Sequence, residues 1–104
     1  MFSLFNRIPS ISTKELKSKL NPKIVLLDVR TPAEYRSGHI AEARNLPLNR
    51  ISTYHRPTTE PIYLICQSGA RSKQAARLLT RQGYQVINVR GGMNQWSGPV
   101  RGGK

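Results

Sequence analysis

The chain has 104 residues, 38% of them hydrophobic and 21% charged, with one cysteine and a formal net charge of +12 at pH 7. This size supports a single domain over residues 1–104, and one cysteine excludes an intramolecular disulfide and so favours a reducing, cytoplasmic compartment. No apolar run is long enough for a signal core or a membrane span, and the excess of basic residues favours anionic partners such as small oxyanions, acidic proteins or nucleic acid.

Two capping boxes predict short helices in the first half of the chain. Residues 12–20 open with Ser and carry Glu three positions later, and residues 31–34 read TPAE, with Thr as the cap and Pro at the first helical position. The first helix should stop at Asn21 and the second near Gly38. Between them, the apolar run IVLLD of residues 24–28 predicts a strand buried on both faces.

The second half of the chain alternates strand-like and helix-like segments. In order, they are a brief strand 43–48, an irregular or weakly helical connection 49–60, a strand 61–66, a helix 72–82, a strand 85–89, a turn or short helix 91–96 and a flexible tail 98–104. The helix has an apolar face made of Ala75, Ala76, Leu78 and Leu79. This alternation predicts an α/β fold with a mainly parallel sheet covered by helices on both faces.

The only cysteine stands at the end of a predicted strand. The runs IVLLD and PIYLIC deliver Asp28 and Cys66 to the carboxyl edge of the predicted sheet, where open parallel sheets form their sites. We therefore expect Cys66 to be placed at this edge and not buried.

The residues after the cysteine favour an ionised thiol. Most side chains of the loop QSGARS, residues 67–72, are small, so the backbone can curl with its N–H groups pointing inward. The start of the following helix adds partial positive charge, and Arg71 adds a full one. Such surroundings lower the pKa of a cysteine, and the sequence therefore predicts a nucleophilic thiolate at Cys66.

These motifs together resemble the single-domain rhodaneses, a family of sulfurtransferases. The resemblance covers nearly the whole chain and rests on DVR at 28–30, EYRSGHIAEARNLPL at 34–48, the loop CQSGAR at 66–71 and GGMNQW at 91–96. It implies a rhodanese-like, three-layer α/β domain with a five-stranded, mainly parallel sheet and helices on both faces. It also implies that Cys66 takes a sulfane sulfur from a donor, holds it as a persulfide and passes it to a nucleophilic acceptor.

The resemblance also implies which residues form the site. Cys66 is the candidate catalytic residue, and no cofactor is implied. The candidate substrate-binding residues are Gln67, Ser68, Gly69, Ala70, Arg71 and Ser72. Arg71 would orient the anionic part of a donor such as thiosulfate, and the loop amides would stabilise the persulfide, which a thiol, cyanide or an acidic protein would then accept.

Other functions remain open at this point. Phosphatases and arsenate reductases that resemble this fold have one more residue between Cys and Arg, whereas four residues separate Cys66 from Arg71. The shorter loop favours a single extra sulfur atom over a tetrahedral oxyanion. A non-catalytic module that binds sulfur or a partner is another alternative, and a structural, buried cysteine is the simplest one.

Several residues near these motifs have structural interpretations. Asp28 and Arg30 could tune the site electrostatically, but a structural ion pair or hydrogen bonds that fix the loop are the simpler interpretation. His39 is expected to support the packing and the loop, and Trp96 to anchor the core. His39 and His55 have no cysteine or carboxylate at ligand spacing, so no metal site is predicted.

Basic residues recur every four positions along the helix after the loop. Lys73, Arg77 and Arg81 share one face of this helix, and a solvated surface is the simplest interpretation. A sharper hypothesis is that they steer an acidic carrier protein or tRNA toward Cys66, although no interleaved aromatic residues support binding of nucleic acid. One core accounts for the hydrophobic stretches, so we expect a monomer.

Overall fold

Residues 7–57 and 59–104, which the computed structural model describes, form five strands, four α-helices and one 3-10 helix. In chain order these are β1 (Ser10–Ile11), α1 (Thr13–Lys19), β2 (Leu26–Asp28), α2 (Pro32–Ser37), β3 (Ala43–Asn45), the 3-10 helix (Leu48–Thr53), β4 (Ile62–Ile65), α3 (Ala70–Arg81), β5 (Val86–Val89) and α4 (Gly92–Gln95).

The five strands form one parallel sheet in the order β1-β5-β4-β2-β3. This confirms the predicted α/β class. The sequence predicts a mainly parallel sheet, and all strand pairs of this sheet are parallel. β4 is the central strand, so the loop that follows it lies in the middle of the carboxyl edge. β1 has only two residues, one of them Ser10, which is too short and too polar a segment to predict as a strand from periodicity.

The sheet is covered on both faces, because successive strand residues point to opposite sides. Leu27 and Leu64 belong to one apolar cluster, with Ala75, Ala76 and Leu79 of α3. Leu26 and Ile65, which neighbour these residues in the same strands, belong to a second cluster on the other face. The buried members of this cluster are Leu16, Leu26, Ile40, Ala43, Ile65 and Val89. The three-layer arrangement is therefore confirmed.

The starts of α1 and α2 agree with the prediction, whereas the start of α3 and its apolar face differ from it. Both capping boxes form, with Ser12 at α1 and Thr31 at α2. α3 begins at Ala70, two residues before the predicted start, so the last loop residues are also the first helical turn. Leu78 is 36% exposed and is not part of the buried face.

Residues 98–104 have defined backbone partners. Arg101 and His39 exchange two backbone hydrogen bonds of 2.7 and 2.9 Å, and the Gly103 N–H donates to the carbonyl of Arg36 over 2.8 Å. The flexibility of this tail stays a prediction. Over residues 7–57 and 59–104, no helix has the length and apolar character that crossing a membrane requires.

Candidate active site

Cys66 directly follows the central strand β4, and its side chain is enclosed. Its Sγ accepts a hydrogen bond from the backbone N–H of Gly69 at 2.9 Å and lies 3.4 Å from the hydroxyl of Ser72. The residue lies at the predicted edge of the sheet but is 0% exposed, so the expectation that it is not buried is wrong. The reason is that the loop folds its own amides onto the sulfur.

A left-handed glycine makes this close approach possible. Gly69 has a φ of 104° and is the N-cap of α3. This conformation favours glycine, and an added Cβ would lie 3.4 Å from the backbone nitrogen of Gly91. The turn at Gly69 therefore brings its own N–H, and that of Ser72 in α3, toward the sulfur of Cys66.

Helix α4 fixes the loop from the other side. The N–H of Met93 donates to the carbonyl of Cys66 over 2.8 Å, and the N–H of Asn94 donates to the carbonyl of Gln67 over 2.9 Å. These bonds require close contact at Gly92, where an added Cβ would lie 2.3 Å from the Cys66 carbonyl oxygen. The GGMN sequence thus holds the backbone that carries the thiol, a role that sequence reasoning missed.

A buried ion pair supports the loop from below. Arg30 Nη2 and Asp28 Oδ2 are 2.8 Å apart, and their side chains are 3% and 0% exposed. The same guanidinium donates to the carbonyl of Gly38 over 2.8 Å and to Gln67 Oε1 over 3.2 Å. The structural role predicted for Asp28 and Arg30 is confirmed, and Gln67 is held by its side chain, which also donates to Asn94 Oδ1.

The guanidinium of Arg71 is paired with a carboxylate of α2. Two of its nitrogens donate to the carboxylate of Glu34 over 2.6 and 2.9 Å. Sequence reasoning identified Glu34 only as the capping residue of α2 and missed this contact. These hydrogen bonds are the main reason why the pKa of Glu34 is lowered from 4.5 to about 2 and why the pKa of Arg71 is raised.

The pKa of the Cys66 thiol is the balance of two opposing effects. Burial raises the pKa, and hydrogen bonds from the Ser72 hydroxyl and from the backbone N–H groups of Ser72, Gly69 and Ser68 lower it by more. The net direction is downward, as the sequence predicts. The backbone N–H groups contribute as the sequence predicts, whereas the contribution of the Ser72 hydroxyl was not predicted and the predicted charge of Arg71 is matched by Glu34.

Removal of the Ser72 hydroxyl is expected to make the thiol less acidic. In Ser72→Ala, the ultraviolet thiolate titration of Cys66 should move to higher pH, because a hydrogen bond that favours the thiolate is lost. Sulfur loading of Cys66 at pH 7 should slow about tenfold, as expected for one hydrogen bond to a charged group. An unchanged titration would contradict this role of Ser72.

Ser18→Ala is a matched control for this experiment. The hydroxyl of Ser18 donates to the carbonyl of Glu15 over 2.7 Å, and the hydroxyl oxygen of Ser72 lies 3.1 Å from the carbonyl oxygen of Gly69, so each serine contacts the carbonyl three residues earlier. Ser18 lies in α1, outside the site, so its replacement should leave the thiolate titration unchanged.

The remaining predicted residues have the positions that the sequence indicated. His39 is 1% exposed and stacks on Tyr35 with ring centroids 3.6 Å apart. Trp96 packs against the second apolar cluster and donates to the carbonyl of Pro99 over 3.1 Å. Lys73, Arg77 and Arg81 are exposed on α3. Within the described part of the chain, no three His, Cys, Asp or Glu side chains form a group that suits a metal ion.

The fold and the site define an α/β domain with a cysteine enclosed by backbone amides at the carboxyl edge of a parallel sheet. The Rhodanese-like domain family matches this chain over residues 12–99. The chain belongs to that family, and sulfur transfer is the general chemistry that the family match and its relatives support.

Three relatives show how far this similarity extends. A protein of Allochromatium vinosum named Sulfurtransferase is 37% identical over 95 residues, which are 86% of this chain and 89% of that protein. A rhodanese-like domain protein of Staphylococcus aureus matches with a TM-score of 0.82 at 31% identity. The matched region is 93% of this chain and 100% of that protein's chain. The reduced CoADR-RHD of Bacillus anthracis has a TM-score of 0.76 at 34% identity over 85% of this chain, which spans only 16% of that protein.

Proposed function

We propose that the protein is a sulfurtransferase that carries a sulfane sulfur as a persulfide on Cys66. The observation that carries the proposal is the position of Sγ, which accepts the Gly69 N–H at 2.9 Å at the end of the central strand. A structural cysteine would not need amides directed at its sulfur, whereas a thiolate and a persulfide anion both do.

The reaction follows from this geometry as a double displacement. The thiolate of Cys66 attacks the outer sulfur of the donor, a new S–S bond forms, and the donor's own S–S bond breaks. The leaving group departs with the electron pair, as sulfite from thiosulfate or as a thiolate from an organic persulfide. A nucleophilic acceptor, such as a thiol or cyanide, then attacks the outer sulfur of the persulfide and releases the Cys66 thiolate.

The amides of the loop stabilise both the thiolate and the persulfide of Cys66. The N–H groups of Ser68, Gly69 and Ser72 lower the pKa of the thiol and so raise the thiolate fraction. The same groups would surround the persulfide once it forms. Because Cys66 is 0% exposed, the donor has to bring its outer sulfur into the mouth of the loop. This requirement suits a small, terminal sulfur atom.

The contacts of the loop argue against a phosphatase or arsenate reductase. Such a reaction needs amides and an arginine that converge on a tetrahedral oxyanion. Here the Gly69 N–H is already directed at Sγ, and Arg71 binds Glu34 through two hydrogen bonds. A non-catalytic, sulfur-binding module shares the persulfide and differs only in the lack of turnover.

The first experiment is an intact-mass measurement of the reduced protein after exposure to thiosulfate or to glutathione persulfide. The proposal predicts a gain of one sulfur atom, which a thiol or cyanide then removes. A gain without removal by any acceptor would favour the binding module. No gain from either donor would overturn the proposal, and a hydrolysed aryl phosphate or reduced arsenate would favour the other two enzymes.

A further inference from the structure

Two guanidinium groups reach the cysteine loop, and each is matched by a carboxylate. Arg30 pairs with Asp28 at 2.8 Å beneath the loop, where both side chains are buried. Arg71 pairs with Glu34 through two hydrogen bonds at the end of the loop. Neither arginine therefore offers uncompensated positive charge to a donor, although the chain as a whole is strongly basic.

The Arg71–Glu34 pair is partly exposed at the end of the cysteine loop. The two side chains are 33% and 34% exposed, so they are at the surface of the site rather than beneath it. Arg71 is the fifth residue after Cys66 and stands in the first turn of α3, so its charge belongs to the same loop as the thiol. Because the pKa of Glu34 is about 2, its negative charge is present at any ordinary assay pH.

Two further cations line a hollow between the loop and β5. Lys73 and Arg90 line a hollow of about 400 Å³ together with Ser68 and Asn88. Arg90 also donates to the hydroxyl of Ser10 over 2.9 Å. These two cations therefore belong to the β5 side of the loop, whereas Arg71 and Glu34 belong to the α2 side.

Possible donors differ in the charge that they bring to Cys66. Thiosulfate carries two negative charges, and its reaction with the thiolate breaks the S–S bond and releases both charges on sulfite. The protonated form of an organic hydropersulfide brings no charge on the reacting sulfur: its S–S bond breaks, the electron pair leaves on the organic thiolate, and the proton stays on the transferred sulfur. A loop arginine whose charge is matched by a carboxylate stabilises the first reaction less than an unmatched arginine would, and it makes little difference to the second.

We propose that Glu34 is a specificity-determining residue, which neutralises Arg71 and thereby makes the site select organic persulfides over the dianion thiosulfate. This inference rests on the sulfurtransferase function proposed above. It names the donor class that the sequence leaves open, and it assigns to Glu34 a role beyond the capping of α2.

The test compares Glu34→Gln with the wild-type protein in a single loading step. The second-order rate constant for sulfur loading onto Cys66 is measured by rapid quench and intact mass, with thiosulfate and with glutathione persulfide. Because Gln also completes a capping box, the start of α2 should be kept, and a thermal melt checks this. The loading constant for thiosulfate should rise about tenfold, since Arg71 is freed, and that for glutathione persulfide should change less than about twofold.

Two further variants separate this role from a general effect of charge. Glu42→Gln makes the same change of charge at an exposed residue outside the site, and it should alter both loading constants by less than about twofold. In an Arg71→Gln background, Glu34→Gln should give no gain with thiosulfate, because no guanidinium is left to be freed.

The outcomes distinguish this inference from the proposed function. Suppose that glutathione persulfide loads the wild-type protein, but Glu34→Gln changes the loading constants for both donors equally or changes neither. The proposed selectivity role of Glu34 is then wrong, and the sulfurtransferase function stands. A rise in the thiosulfate loading constant that Glu34→Gln still produces in the Arg71→Gln background also overturns the role of the pair. If neither donor loads the wild-type protein, both proposals fail.

Discussion

The Cys66→Ser variant is expected to accept no sulfur from thiosulfate or from glutathione persulfide. Its transfer rate should fall at least about a thousandfold, to the uncatalysed background, because a serine hydroxyl is not ionised near pH 7 and cannot hold a sulfane sulfur. Intact mass after exposure to each donor measures the loading, and the rate of transfer to a thiol measures the turnover.

The same variant should keep its fold. A serine oxygen can accept the Gly69 N–H that now points at Sγ, so the free energy of unfolding should change by less than about 2 kcal/mol. Chemical denaturation of both proteins gives this comparison. Cys66 is the only cysteine of the chain, so sulfur transfer that survives in the variant would mean that the persulfide is not the intermediate.

Gly92→Ala is expected to damage both the fold and the activity. Gly92 has a φ of 56°, and a Cβ there would lie 2.3 Å from the carbonyl oxygen of Cys66 and 2.8 Å from that of Gln67. The left-handed conformation and the forced repacking together should lower the free energy of unfolding by about 3 kcal/mol. Because the carbonyls that must move belong to the loop, sulfur loading should slow about a hundredfold.

Gly83→Ala is the matched control for this prediction. Gly83 also has a positive φ, 94°, but a Cβ there would meet no atom within 4 Å. Its replacement should cost only the strain of the left-handed conformation, about 1 kcal/mol, and leave the loading rate unchanged within about twofold. Equal effects of the two substitutions would show that the contact between Gly92 and the loop carbonyls is unimportant.

Local patterns in the sequence by themselves determined the starts of two helices, most of the strands and the position of the cysteine. The capping boxes at Ser12 and Thr31 form because their partners, Glu15 and Glu34, stand three residues further along the chain. The apolar runs predicted four of the five strands, and their alternation with helices predicted the parallel sheet. The position of Cys66 at the carboxyl edge follows from the same reasoning, because it comes directly after a buried strand.

Only the tertiary structure decided how the site is enclosed and charged. Glu34 and Arg71 are 37 positions apart, and their pairing depends on the placement of α2 beside the start of α3. The burial of Cys66 depends on Gly69 and on the fit of Gly92 against the loop carbonyls. Sequence periodicity reports which face of its own element a residue occupies, but it does not report which residues of other elements meet that face. Contacts between distant elements depend on strand order and packing, and for that reason a capping glutamate proved also to be the partner of the loop arginine.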